Sequence, residues 1–392
     1  MTRPLLSIDE ARAIVLGATA VLPQEDVEVG EGLGRVLAQD VVAGHDVPPF
    51  ASSAMDGFAL VPGPAGRTLR IVGESRAGTP WTGTVSAGDA LRISTGAAVP
   101  AGLSVLQLEL ATDHGDEVTA GDDVAAGRNV RGSGEDLRSG AVVLQAGTQL
   151  GPAELGVAVH AGAATVPCTR RPRVAVLATG DELVPPGAAL GPGQIHDSNR
   201  ITLLALARRE GADVVLARRV RDDPQATREA IAEALGVADL VVLSGGVSVG
   251  PHDHVKPALE ALGVEERFWR VALRPGKPTW FGVRGASLVL GLPGNPVSAM
   301  VTFLLFARPA LAALQGASGQ TPRRTEPLGE PIMRHGARDE CLRVRRVDGR
   351  LYATGPQGSH VLSSMALADA LAVIPRGEGE LPAGSQVEVL AL

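Results

Sequence analysis

Arg173-Val174-Ala175-Val176-Leu177-Ala178-Thr179-Gly180-Asp181-Glu182-Leu183 is the stretch that decides the architecture. Val174–Ala178 is apolar without interruption, so it predicts a strand buried on both faces rather than one with a wet side. A Gly-Asp-Glu turn follows, and then a helix is predicted from about Asn199 to Arg209. The cycle recurs with strand Val214–Ala217 and helix Pro224–Leu235, then strand Leu240–Leu243 and a helix near Val255–Leu262. It ends with strand Leu288–Leu290 and helix Pro296–Leu314. Continuous Val/Leu strands alternating with amphipathic helices predict a parallel sheet covered by helices on both faces, a three-layer α/β domain.

Working outward, the texture changes on both sides. Upstream, short β-like runs (Leu69–Val72, Ala90–Ile93, Val105–Leu110, Val142–Leu144) lie between Gly-rich turns, and Val47 to about Gly140 reads as a separate β domain. Before it, Ser7-Ile8-Asp9-Glu10 is a capping box that opens a helix, and a second short helix is expected around Gly32–Ala38. Downstream of Pro322 the chain returns to short alternating strands, Cys341–Val347, Leu351–Thr354, Leu371–Ile374 and Gln386–Leu390.

Bulk properties exclude several functions. With 392 residues the chain is too long for one ordinary core. Charged residues make up 20% and the formal net charge is −7, without a Lys/Arg-rich helix or hairpin, so no nucleic-acid partner is expected. Cys168 and Cys341 are the only cysteines and belong to no CxxC or Cys/His cluster, which argues against a zinc site and fits a reducing cytoplasm. The apolar run from Val297 to Leu314 is broken by Arg308-Pro309, so it predicts a buried helix and no membrane partner.

Three motifs fall at the carboxyl ends of strands, where open α/β sheets bind ligands. They are Thr179-Gly180-Asp181-Glu182-Leu183, Ser244-Gly245-Gly246-Val247-Ser248-Val249-Gly250 with Asp253, and Leu292-Pro293-Gly294-Asn295-Pro296. The second frees backbone N–H groups for a phosphate or pyrophosphate, although a Gly-rich loop is also an ordinary tight turn. Asn295 before Pro296 reads as an N-cap with Pro in the first helical position, which aims a helix dipole at an anion. Asp181, Glu182 and Asp253 would repel phosphates there unless a cation bridged them, so Mg²⁺ is implied. Arg274-Pro275-Gly276-Lys277-Pro278 offers two cations on a stiff loop, suited to a small doubly charged oxyanion. It lacks the upstream Gly of a Walker A loop.

Together with Ser53–Ala59 (SAMDGFA), Arg92–Ala97 (RISTGA) and Asn129–Asp136 (NVRGSGED), these motifs in this order resemble the molybdopterin molybdenumtransferase family, relatives of the gephyrin E-domain. The resemblance runs over essentially the whole chain. It implies a multidomain α/β fold: an elongated helix-containing domain (1–46 plus 141–170), an inserted β domain (47–140), a molybdopterin-binding α/β domain (171–318) and a C-terminal β barrel (319–392). It implies a homodimer, with the molybdopterin adenylyltransferase and molybdoenzyme chaperones as candidate further partners. The implied reaction takes adenylyl-molybdopterin and molybdate to molybdenum-molybdopterin and AMP, with Mg²⁺ as cofactor.

Carried over residue by residue, Asp181, Glu182 and Asp253 would serve the metal. Thr179, Gly180, Ser244, Gly245, Gly246, Gly250, Pro293, Gly294 and Asn295 would hold the pterin pyrophosphate. Ser248, Arg274, Lys277, Pro278, Arg338 and Ser359 would line the molybdate pocket. Asp56, Thr95 and Asp136 would reach in from the partner subunit and join Glu182 and Asp253 in catalysis. Departures from the family pattern are Ala51-Ser52 for Asp-Asn, Phe58 for Tyr, Arg274 for Lys, and Pro251-His252 before Asp253. Arg keeps the charge but replaces a point donor with a planar fork. The competing functions are a molybdopterin adenylyltransferase, which would share the α/β domain but not the flanking β domains, and a gephyrin-like scaffold.

Overall fold

A computed structural model describes residues 5–247, 253–317 and 324–392. Ser248, Val249, Gly250 and Pro251-His252, all singled out above, lie outside the described residues, as does the expected boundary at 318/319. The chain packs as two compact units: Met1–Glu25, Gly34–Ala38 and Cys168–Leu392 form one, Asp26–Leu33 and Gln39–Pro167 the other.

The first unit is built on a six-stranded sheet whose strands run, edge to edge, Asp213–Val220, Arg173–Thr179, Leu240–Ser244, Ser287–Leu292, Trp280–Arg284 and Glu265–Trp269. Its alternating faces explain the unbroken apolar runs. Val174, Val176, Leu240 and Val242 pack with Leu203, Leu206 and Phe303–Ala307 on one side. Ala175, Leu177, Val241 and Leu243 pack with Ile231, Ala234 and Leu259 on the other. Helices Ser198–Arg209 and Pro296–Leu314 therefore cover one face, and Pro224–Val237 and Val255–Ala261 the opposite one.

The sheet is not wholly parallel, which corrects the expectation. Only its first four strands are parallel; the last two pair antiparallel. Between Arg284 and Ser287 only two residues remain, Gly285 at φ +57°, and a parallel pair needs a crossover of a dozen or more. The Trp269–Arg274 segment is shared between two sheets. Arg270, at φ +78°, turns the chain out of this sheet, and Leu273–Arg274 pairs parallel with Asp339–Glu340 of the C-terminal sheet.

Pro309 does not end the Pro296–Leu314 helix. Phe303–Ala307 widens into a π turn and the helix resumes at Arg308–Leu314. Pro309 cannot donate to Leu305, four residues back, and the Leu305 carbonyl accepts instead from Arg12 Nε at 3.4 Å. This is the one helix among the described residues long and apolar enough to cross a membrane, and 78% of its apolar window is buried inside the fold.

The C-terminal sheet of the same unit runs Leu273–Arg274, Asp339–Val347, Ala370–Ile374, Gln386–Ala391, Arg324–Pro327, with Arg350–Ala353 also on Asp339–Val347. A single parallel bridge, Leu328 to Leu351, links the end of the Arg324–Pro327 strand to Arg350–Ala353.

The second unit carries its own six-stranded sheet, ordered Ser104–Gln107, Gly57–Leu60, Asp89–Ile93, Thr68–Ser75, Glu117–Ala120, Ala111–Asp113. Gly57 is obligatory in it: at φ +157°, a Cβ there would lie 2.0 Å from the Leu106 carbonyl oxygen. The helix expected around Gly32–Ala38 is absent. A 3₁₀ turn, Val29–Glu31, stands just before it, and Gly34 at φ +73° prevents helical continuation. The N-terminal capping box forms as expected, with Glu10 N–H donating to Ser7 Oγ at 3.2 Å and Ser7 N–H to Glu10 Oε2 at 2.7 Å.

Candidate functional site

The carboxyl ends of Arg173–Thr179, Leu240–Ser244 and Ser287–Leu292 lie side by side, so the loops that leave them open together into a cleft of about 450 Å³. Thr179, Gly180, Ser244, Gly245, Gly246 and Gly294 line it, as expected from the sequence. The closeness of the loops explains the glycines. A Cβ on Gly245, at φ +90°, would sit 2.8 Å from Thr179 Oγ1 and 2.9 Å from its carbonyl oxygen, and Gly294 approaches the Gly245 Cα. Gly245 N–H donates to Leu292 O at 3.1 Å, fixing the second loop to the third strand. Pro293 is buried behind the third loop.

Glu182 and Asp253 are on the wall of this cleft, and Asp222 joins them. Asp181 is exposed and not part of the lining. It is nevertheless tied to the wall: Asp181 N–H donates to Asp222 Oδ2 and Asp222 N–H to Asp181 Oδ1, both at 3.2 Å. Sequence reasoning missed Asp222, whose Asp222-Asp223-Pro224 setting reads as the start of a helix, and indeed Asp223 caps it. Among the described residues no three acidic, His or Cys side chains gather around one point as a ready metal cage.

Asn295 departs from its expected role. It stands in the N-cap position, but its side chain makes no cap; Nδ2 donates to Ser359 Oγ at 3.0 Å. The Ser359 carbonyl oxygen in turn accepts from Val297 N–H at 3.1 Å, so a loop of the C-terminal sheet caps the helix by backbone. Asn295 and Ser359 are thus brought together.

The Arg274–Pro278 loop is also not as expected. Arg274 is paired with Glu340, Nε to Oε1 at 3.4 Å, so its charge is already opposed. Lys277 is exposed and has no carboxylate partner among the described residues. Its backbone is fixed, since Val271 N–H donates to Lys277 O at 3.0 Å and Thr279 Oγ1 to Gly276 O at 2.7 Å. Arg338 lies against His335, NH2 to Nε2 at 3.2 Å. The more informative arginine is Arg343, which the sequence reading passed over inside an ordinary strand. It is fully buried, donates to Ser364 Oγ, Pro356 O and Gly358 O, and so holds the loop that presents Ser359. Burial lowers its guanidinium pKa, with Glu340 opposing the shift.

In the second unit Asp56 and Thr95 meet, Thr95 N–H donating to Asp56 Oδ1 at 2.8 Å. Asp136 is exposed on a separate loop held by its N–H to Val47 O at 2.9 Å, beside a pocket lined also by Arg131 and His160. Both cysteines are buried, and burial pushes the Cys341 thiol up to about 12. Neither thiol is poised as a metal-binding thiolate.

Comparison with known proteins places these features in one family. Residues 6–162 match the MoeA N-terminal region (domains I and II), 175–313 a probable molybdopterin binding domain, and 325–392 the MoeA C-terminal region (domain IV). A Haemophilus influenzae protein named molybdopterin molybdenumtransferase is 35% identical, with 98% of each chain covered. A Mycobacterium tuberculosis protein named molybdopterin molybdenumtransferase 2 is 36% identical over 98% of each. The crystal structure of a molybdopterin biosynthesis MoeA protein from Pyrococcus horikoshii superimposes with a TM-score of 0.84 at 30% identity, covering 99% of both chains. With its α/β cleft, flanking β sheets and matched regions in the same order, the chain belongs to the molybdopterin molybdenumtransferase (MoeA) family.

Proposed function

We infer that this chain inserts molybdenum into molybdopterin, converting adenylyl-molybdopterin and molybdate into molybdenum-molybdopterin and AMP. The observation that carries the reading is the convergence of three glycine-bearing strand ends on one cleft walled by Glu182, Asp222 and Asp253. Family relatives bearing the transferase name over nearly their full length support it. The dithiolene of the substrate supplies both sulfurs, which accords with two buried, unreactive cysteines.

The residues divide the work. Backbone around Gly180, Gly245, Gly246 and Gly294 holds the pyrophosphate close to the sheet. Lys277, which has no carboxylate partner among the described residues, attracts molybdate. Pro278 stiffens its loop, and Asn295, Ser359, Arg338 and Arg274 lie on the segments that frame the same task. Holding two anions together and offsetting their charge is the catalytic problem, and fixed donors solve it without reorganisation. The acidic wall suits Mg²⁺: this ion is usually held by one or two carboxylates plus substrate phosphates rather than by a complete protein cage. One or two of the wall carboxylates Glu182, Asp222 and Asp253 would hold it, with Asp181 tied to Asp222 beside them, and the ion would supply positive charge against the pyrophosphate.

The protein works as a homodimer in the cytoplasm, with Asp56, Thr95 and Asp136 of the partner subunit completing the site. It receives substrate from a molybdopterin adenylyltransferase and delivers product to molybdoenzyme chaperones. The four-domain partition given above is part of the proposal; separate hydrophobic clusters in the inserted and C-terminal sheets support it, and the Leu328–Leu351 bridge supports closing the latter into a barrel. The test is AMP release by the purified protein from adenylyl-molybdopterin, molybdate and Mg²⁺. Release is expected, and to be lost in EDTA; consumption of ATP with molybdopterin instead would indicate an adenylyltransferase.

A further inference from the structure

Asn199, in the first turn of the Ser198–Arg209 helix, carries the inference. Its carboxamide lies in the cleft between two loops that come from different strands. Nδ2 donates to Ser244 Oγ at 2.9 Å, at the start of the Ser244–Val247 loop, and to the Gly294 carbonyl oxygen at 2.6 Å, in the third loop. Gly294 O can only accept, so it fixes which end of the carboxamide faces it. Oδ1 then points away, buried and without a hydrogen-bond partner among the described residues.

An unpaired buried carbonyl oxygen destabilises a fold. A side chain retained only for packing would be apolar here, or would satisfy both ends. The arrangement instead maximises one thing, the joining of two glycine loops by a single NH₂ group. The helix that carries Asn199 is itself anchored. Asp197, 1% exposed, caps it by accepting from Arg200 N–H at 3.0 Å and pairs with Arg200 Nε at 2.8 Å. The clamp therefore rests on a rigid base.

We propose that Asn199 is a positioning residue that sets the spacing of the Ser244–Val247 and Pro293–Asn295 loops, so that their backbone donors address one pyrophosphate group together. The proposal rests on the functional reading above for the identity of the ligand, but the geometry concerns any pyrophosphate-bearing ligand of this cleft. Without the clamp each loop keeps its own anchors, Gly245 N–H to Leu292 O among them, so the protein folds and the ligand loses register.

The test uses Asn199→Leu, which keeps the branched shape in a somewhat larger side chain and removes the donor, and Ser244→Ala, which removes one of the two acceptors. Binding of Mg²⁺-pyrophosphate to the full chain is followed by calorimetry, with thermal unfolding and steady-state AMP release alongside. Asn199→Leu should weaken pyrophosphate binding about tenfold, or about 1.4 kcal/mol, and raise KM for adenylyl-molybdopterin by a similar factor. Its Tm should change little, because removing an oxygen that is unpaired among the described residues offsets part of the loss of the two hydrogen bonds. Ser244→Ala should lie between the two. A lowered Tm with unchanged pyrophosphate affinity and KM would show a merely structural asparagine and overturn the proposal. So would failure of the unaltered protein to bind pyrophosphate. Absence of AMP release with pyrophosphate binding and its Asn199 dependence intact would instead refute the reaction assigned above and leave the clamp standing.

Discussion

Replacing Lys277 by Ala should raise the molybdate concentration for half-maximal AMP release about tenfold to a hundredfold, with little change in pterin binding. The magnitude follows from what opposes each cation. Arg274 and Lys277 share one loop, but the Arg274 guanidinium is held 3.4 Å from a Glu340 carboxylate that is only 11% exposed. Lys277 has no such partner among the described residues. A charge-assisted hydrogen bond to a divalent oxyanion contributes about 1.5–3 kcal/mol, and each 1.4 kcal/mol is a factor of ten in affinity. Arg274→Ala should cost less at the molybdate step, because its guanidinium is already engaged by Glu340. Glu340→Gln should act in the opposite direction, freeing Arg274 and lowering the half-saturating molybdate severalfold. The measurement is a molybdate titration of AMP release for the three variants, beside direct adenylyl-pterin binding. An unchanged molybdate dependence in Lys277→Ala, with pterin binding destroyed, would refute the division of the site argued here.

Two other predictions concern the second unit. Mixing an Asp56→Ala protein with a Glu182→Ala protein should restore part of the activity through heterodimers; no recovery despite confirmed subunit exchange would count against a site shared between subunits. Asp113 is held at about 2 by hydrogen bonds from Arg92 and then from Gly115 N–H. Its folded value lies below the unfolded one, so the stabilisation is complete above about pH 4 and lost as pH falls towards 2. Asp113→Asn should flatten that part of the acid-unfolding curve, and a profile identical to the original would exclude the contribution.

The α/β frame was legible because its signals are local. Val174–Ala178 and Leu240–Leu243 can only be strands buried on both faces, and glycines at 180, 245 and 294 mark the ends where loops crowd. What escaped depends on distant partners. Nothing near Arg274 announces Glu340, and nothing near Arg343 shows that its strand lies beneath the loop of Ser359. Asn199 and Asp222 sit in ordinary helix-start contexts, and only the packing of neighbouring strands brings them to the cleft. The absence of a helix at Gly32–Ala38 has the opposite, purely local cause, since Gly34 at φ +73° cannot continue one.

The short pairing of Leu273–Arg274 with Asp339–Glu340 has a mechanical consequence. One segment leaves the α/β sheet at Arg270 and spends two residues as a strand of another sheet before the chain returns to the first at Trp280. The Arg274–Pro278 loop therefore starts from strand pairing in the C-terminal sheet, whereas the glycine loops leave strands of the α/β sheet and reach the C-terminal sheet only through side-chain and backbone bonds to Ser359. A chain cut at residue 317 would leave the Leu273–Arg274 backbone groups without their ladder and would remove Glu340 from Arg274, so the loop would be held only by its own bonds, Val271 N–H to Lys277 O among them. Such a fragment should still dock the pterin, but it would have lost the means of delivering molybdate to it.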